Sequence, residues 1–161
     1  MGITRTPPPE PTKTTLHGTA VLLRPVGGEA ACIFLRGLSG AGKSDLAFRL
    51  IEGGGQLICD DQVSFEKRHN RIYADHVESI KGLLEVRGIG LLRYPVAPAS
   101  RVSLVIDLVK RDEVPRLPDP ETFEILGVAL PRLRLCAFDQ STPLKINKGL
   151  ELLTKPGLLV T

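Results

Sequence analysis

The chain has 161 residues, of which 42% are hydrophobic and 24% charged, and it carries a formal net charge of +3. Such a length fits one domain with a buried core, and such a composition is ordinary for a soluble globular protein. The weak charge, the absence of Trp and an aromatic content of 4% argue against a nucleic-acid binder built on basic patches or base stacking. No apolar run approaches the roughly 18 residues of a membrane span, and the expectation is a protein without nucleic-acid or membrane partners. Cys32, Cys59 and Cys136 are scattered in apolar runs, which suits reduced, buried thiols in the cytoplasm better than a disulfide frame or a metal site.

Residues 1–15 contain Pro7, Pro8, Pro9 and Pro11 and read as a flexible leader with too little apolar surface to order itself. Residues 16–23 read as one strand that His17 nearly opens, and a lone His there is more often a satisfied polar residue than a catalytic one. After a Gly/Pro turn, Ala31-Cys32-Ile33-Phe34-Leu35 reads as a buried strand. It runs into Gly37-Leu38-Ser39-Gly40-Ala41-Gly42-Lys43-Ser44, a G-x-x-x-x-G-K-S phosphate loop. The glycines let successive N–H groups curl around a phosphate, Lys43 brings a positive charge to the β/γ oxygens, and Ser44 offers a hydroxyl to Mg²⁺. A chance match in a glycine-rich loop is the competing reading, and the strand before and helix after the loop argue against it. These eight residues therefore predict an ATP-type ligand with Mg²⁺.

Leu46, Ala47, Leu50 and Ile51 form a helical stripe that Gly53-Gly54-Gly55 stops. A short strand, Gln56 to Cys59, then ends in the carboxylate pair Asp60-Asp61. Neighbours on an extended chain point to opposite faces, so one of the two is expected to face the phosphates. A solvated acidic pair opening a turn is the bland alternative.

Residues 63–67 and 71–74 read as a hairpin, with His69 and His76 on solvated turns. In Leu83-Leu84-Glu85-Val86-Arg87-Gly88-Ile89-Gly90, Glu85 and Arg87 share one face if the segment is a strand, as a surface ion pair or as groups serving a metal and a phosphate. Residues 102–109 form the most apolar strand, and its Asp107 competes with Asp60 and Asp61 as a magnesium-handling acid. A charged, Pro-rich surface loop spans residues 110–120. Short strands at 123–126 and 132–136 follow, and then a helix at 144–153.

Several of these segments together resemble HPr kinase/phosphorylase, specifically its C-terminal catalytic domain in the short alpha-proteobacterial form that lacks the N-terminal domain. The carriers are the phosphate loop, Leu57-Ile58-Cys59-Asp60-Asp61, the Leu83 to Gly90 segment with its L-L-E-V-R-G-x-G pattern, Arg116-Leu117, and Pro143-Leu144-Lys145-Ile146. The resemblance implies one α/β phosphate-loop domain over residues 16–161 with a mixed sheet akin to phosphoenolpyruvate carboxykinase. It implies an ATP- or pyrophosphate-dependent serine kinase acting on HPr, the phosphocarrier of the sugar phosphotransferase system, with phosphorolysis of phosphoserine-HPr as its reverse. It also implies a hexamer. By position, Asp61 would take the serine proton, and Asp60 would meet Mg²⁺ through water. Ser44 and Glu85 would bind the metal directly. Lys43 and Arg116 would neutralise the transferring phosphoryl group, and His17 would stand beside the phosphate loop. Two alternatives remain at this stage. One is a small-molecule kinase using Asp107, and the other is a non-catalytic nucleotide sensor.

Overall fold

Strands apolar on every residue need cover on both faces, and the run from Cys32 to Leu35 is wholly buried. A computed structural model, which describes residues 2–8, 11–25 and 27–160, shows how that cover is supplied. The chain runs β1 (Lys13–His17), β2 (Thr19–Leu23), β3 (Ala31–Arg36), α1 (Lys43–Glu52), β4 (Gln56–Cys59), β5 (Gln62–Arg68) and β6 (Arg71–Asp75). It continues through β7 (Leu83–Val86), β8 (Gly90–Arg93), β9 (Ser100–Leu108), β10 (Glu121–Ile125), β11 (Val128–Leu135) and α2 (Thr142–Thr154).

The main sheet follows the order β1-β5-β6-β9-β3-β2-β4, and the β10–β11 hairpin joins it through β11 and β9. It is mixed: β9 lies parallel to β3 and β11, whereas β2 is antiparallel to both β3 and β4. β9 is long enough to serve two layers. Its start, Ser100 and Arg101, pairs with β6, and its end, Val105 to Leu108, pairs with β11.

Alternation along the central strands divides the core in two. Val21, Ile33, Leu35, Leu104 and Ile106 face Leu46, Ala47 and Leu50 of α1 and Ile146 and Leu150 of α2. Ala20, Cys32, Phe34, Ile58 and Val105 face Val63, Phe65, Ile72 and Ala74 of the β5–β6 layer. Phe34 and Phe65 meet edge to face, with centroids 4.8 Å apart, a favoured aromatic geometry.

The sequence-predicted strand over 16–23 is two strands. Gly18 breaks it at φ 152, and a Cβ there would stand 2.5 Å from the Phe34 ring. The chain passes from the β1–β5–β6 layer to the central strands at this residue, which only a side-chain-free position allows so close to the ring. Ordered pairing also begins before the expected leader boundary, because Lys13 to Thr15 pair with Glu66 to Ser64. Met1, Pro9 and Glu10 of that leader lie outside the described residues.

Two smaller expectations change as well. Arg87 follows the end of β7 and sits in a turn, so it does not share a strand face with Glu85. His69 does occupy an exposed turn, but His76 is only 21% exposed and its Nε2 lies 2.9 Å from Glu78 Oε2. Among the described residues, no helix is long and apolar enough to cross a membrane.

Candidate active site

β3 delivers the chain to the phosphate loop, and the end of β9 braces it. A Cβ on Gly37 would come within 3.0 Å of the Leu108 carbonyl oxygen and 2.9 Å of Ala41 Cβ. Gly42 adopts φ 93 as the N-cap of α1 and supplies no side-chain cap, leaving the first-turn amides of the helix open to an anion. In this state the Lys43 ammonium donates to the carbonyls of Gly37 at 2.7 Å and Leu38 at 3.0 Å. Burial lowers its pKa, and the charges of Asp60 and Asp61 pull it back up. The cation is thus folded across the loop, where phosphate oxygens would replace two neutral carbonyls as its partners.

The acidic pair reaches the loop through strand register. Ala20 pairs with Cys59 across β2 and β4, so the next residues on the two chains, Thr19 and Asp60, lie opposite each other. Thr19 Oγ1 donates to Asp60 Oδ1 at 2.7 Å, and Ser44 Oγ donates to the same carboxylate at 3.1 and 3.0 Å. Asp60 is buried; a carboxylate out of water needs such donors.

Asp61 is different. Its φ of 69 is left-handed, its side chain is 70% exposed, and its Oδ1 lies 3.6 Å from His17 Nδ1. Gly18 N donates to the Asp61 carbonyl at 3.0 Å, and His17 pairs with Gln62 in the β1–β5 ladder. On a regular extended chain the two neighbouring carboxylates would point to opposite faces. The left-handed turn re-aims the second, and both line the same cleft, one deep and one at its mouth.

The opposite wall is the β7–β8 hairpin. Leu84 and Val86 bury themselves in the core beneath α1, which leaves Glu85 exposed on the outer face. The cleft of about 810 Å³ is lined by His17, Ser39, Gly40, Gly42, Lys43, Ser44, Asp60, Asp61, Glu85 and Arg87 among polar and glycine positions. Phe48, Phe138, Ile89 and Leu91 supply its apolar side. That volume is in the range of small-molecule and cofactor sites.

Two sequence candidates lie elsewhere. Arg116 is exposed on the loop after β9, outside the residues that line the cleft. Asp107 points to the face away from α1, bonded to Arg36 at 2.8 Å and 3.3 Å from Arg132, so two guanidiniums already neutralise it. It is not among the residues that line the cleft, which counts against the reading that made it the magnesium-handling acid. Thr19 was not singled out from the sequence. It is fully buried and 41 positions from Asp60, and no motif spacing signals it.

The hydroxyl of Ser44 and the carboxylates of Asp60 and Glu85 are hard oxygen donors, the set that suits Mg²⁺. Among the described residues, no three His, Cys, Asp or Glu side chains assemble as a metal cage. The donors fit a cation shared with phosphate oxygens, which is how Mg²⁺ is commonly held.

The sequence model of the HPr Serine kinase C-terminal domain matches residues 11–141. The chain belongs to that family. It is 31% identical over 153 residues to the HPr kinase/phosphorylase of Lactobacillus acidophilus, covering 88% of this chain and 44% of the relative. It is 34% identical over 134 residues to that of Geobacillus thermodenitrificans, covering 76% and 42%. The chain therefore spans less than half the length of these curated relatives. The structure of the Hpr(Ser) kinase/phosphatase from Coxiella burnetii superposes with a TM-score of 0.75 at 26% identity, covering 90% of this chain and 94% of that one. The mixed α/β sheet with its phosphate loop is thus the HPr kinase C-terminal domain fold.

Proposed function

We propose that this HPr kinase domain transfers the γ-phosphoryl group of ATP, with Mg²⁺, to a serine of HPr. The observation that carries the reading is the pairing at the cleft mouth: an exposed, His17-flanked Asp61 stands beside a buried Asp60 bonded to the phosphate-loop serine. The loop amides and Lys43 hold the phosphates. Ser44 and Glu85 would hold Mg²⁺, with Asp60 meeting it through water, and the ion when bound offsets charge on the β- and γ-phosphates. The serine hydroxyl of the acceptor forms an O–P bond to the γ-phosphorus as the P–O bond to ADP breaks, and Asp61 takes the hydroxyl proton. His17, at its side, orients that carboxylate. In phosphorolysis, inorganic phosphate gives its proton to Asp61 and forms an O–P bond to the phosphoserine phosphorus. The bond from that phosphorus to the serine oxygen breaks, Asp61 passes the proton to the serine oxygen, and pyrophosphate leaves. Arg116 would reach the phosphoryl group only if its loop closed over the cleft.

Three buried free thiols fit a reducing compartment, so the cytoplasm is the proposed location. Self-association is proposed from the resemblance, which implies a hexamer.

Incubation with HPr, Mg²⁺ and γ-labelled ATP is expected to place label on an HPr serine, and unlabelled HPr overturns the reading. Asp61→Asn is expected to lower transfer by about 10²–10⁴-fold, the usual contribution of a general base, with ATP binding retained. Transfer that survives the substitution removes Asp61 from the role of base.

A further inference from the structure

We propose that Thr19 is a positioning residue for the divalent cation, acting through Asp60; the inference rests on the metal reading above. Thr19 is completely buried at the first position of β2, a central strand held on both edges by β3 and β4. Among the described residues its hydroxyl has one side-chain partner, Asp60 Oδ1 at 2.7 Å, the shortest of the contacts to that carboxylate. Ser44 is the other donor, and it belongs to the phosphate loop. Ser44 would also hold the cation through its oxygen, which would leave its one proton to be shared with Asp60. Thr19 has no such second task. Its backbone is fixed by pairing with Leu35, so its hydroxyl anchors one carboxylate oxygen and sets the plane of the group. The other oxygen, Oδ2, is left on the phosphate-loop side of the group, 3.0 Å from the Ser44 hydroxyl. Hydrogen-bond partners of metal-handling groups typically contribute about 10–100-fold to metal affinity.

The test separates Thr19 from the reading beneath it. ATP affinity is measured in EDTA and across a Mg²⁺ titration for the wild type, T19V and T19S, with a thermal melt for each. Valine matches the shape of threonine, but its methyl group cannot approach a carboxylate oxygen to hydrogen-bond distance. T19V is expected to need about 10–100-fold more Mg²⁺ for the same gain in ATP affinity, with affinity in EDTA unchanged and with T19S restoring the wild-type titration. An unshifted T19V titration overturns the proposal. So does a loss of affinity in EDTA as large as that in Mg²⁺, because that marks damage to the loop. A wild-type chain whose ATP affinity ignores Mg²⁺ overturns the metal reading itself. If T19V does not fold, T19C, of similar size and with a weaker donor, carries the same comparison.

Discussion

Asp61 pays for its position in backbone conformation: φ 69 at a residue with a Cβ costs about 1–2 kcal/mol, less for Asp than for most residues because its carboxylate bonds locally. Asp61→Gly relieves that strain, offset in part by the larger entropy glycine loses on folding. It is expected to raise stability by up to about 1 kcal/mol in urea unfolding while abolishing transfer. A destabilised variant would show that the left-handed turn is unstrained. At this scale much of the cleft was legible, because Lys43, Ser44 and the acidic pair sit in local patterns dictated by backbone geometry and charge. Glu85 was legible only as one of two options and through the resemblance. Thr19 was not legible at all, since its contact depends on the register of two strands whose partners are 41 residues apart. Arg116 was placed by resemblance, and no local physics constrains where its exposed loop lies.

Elements carry the site through what they bury. The β7–β8 hairpin belongs to no larger sheet, and a two-stranded unit is marginal alone. Fully buried Leu84 and nearly buried Val86 pin it to the core, and Tyr94 donates to Glu52 at the end of α1 at 2.7 Å. Leu84→Ala is expected to cost about 2–5 kcal/mol and to raise the KM for Mg·ATP, because Glu85 rides on that strand. Glu85→Gln, at an exposed position, is expected to affect Mg·ATP use with little change in unfolding midpoint. Equal stability loss in the two would contradict the division of labour between buried and exposed positions. Helix α1 was readable from its apolar spacing and glycine stop, whereas residues 83–90 were read as at most a single strand, and the turn that makes them part of the β7–β8 hairpin was not. The break at Gly18 was not, because an apolar run covered on both sides looks the same whether it stays in one layer or passes to the next.

For the molecule as a whole, the layered core governs which groups can react. Burial pushes the thiols of Cys32 and Cys59 up, and Cys136 is also buried. Since thiolate is the reactive form, a water-soluble thiol reagent at neutral pH is expected to modify none of the three until the chain unfolds. Rapid labelling of the native protein would show that the layers open. The fold class was legible because strand-loop-helix grammar and the glycine-lysine-serine motif are local. The layering was not, since it depends on β9 pairing with β6 at one end and with β11 at the other. That arrangement has a mechanical consequence. Thr19, Asp60 and the phosphate loop are anchored to the sheet beneath α1, whereas His17 ends a strand of the outer layer and Asp61 stands where the chain passes between the two. The phosphate loop and the proposed base therefore ride on different layers joined at a seam, Gly18 on one side and Asp60-Asp61 on the other. The edge-to-face contact of Phe34 with Phe65 lies between the two layers and holds them in a fixed spacing.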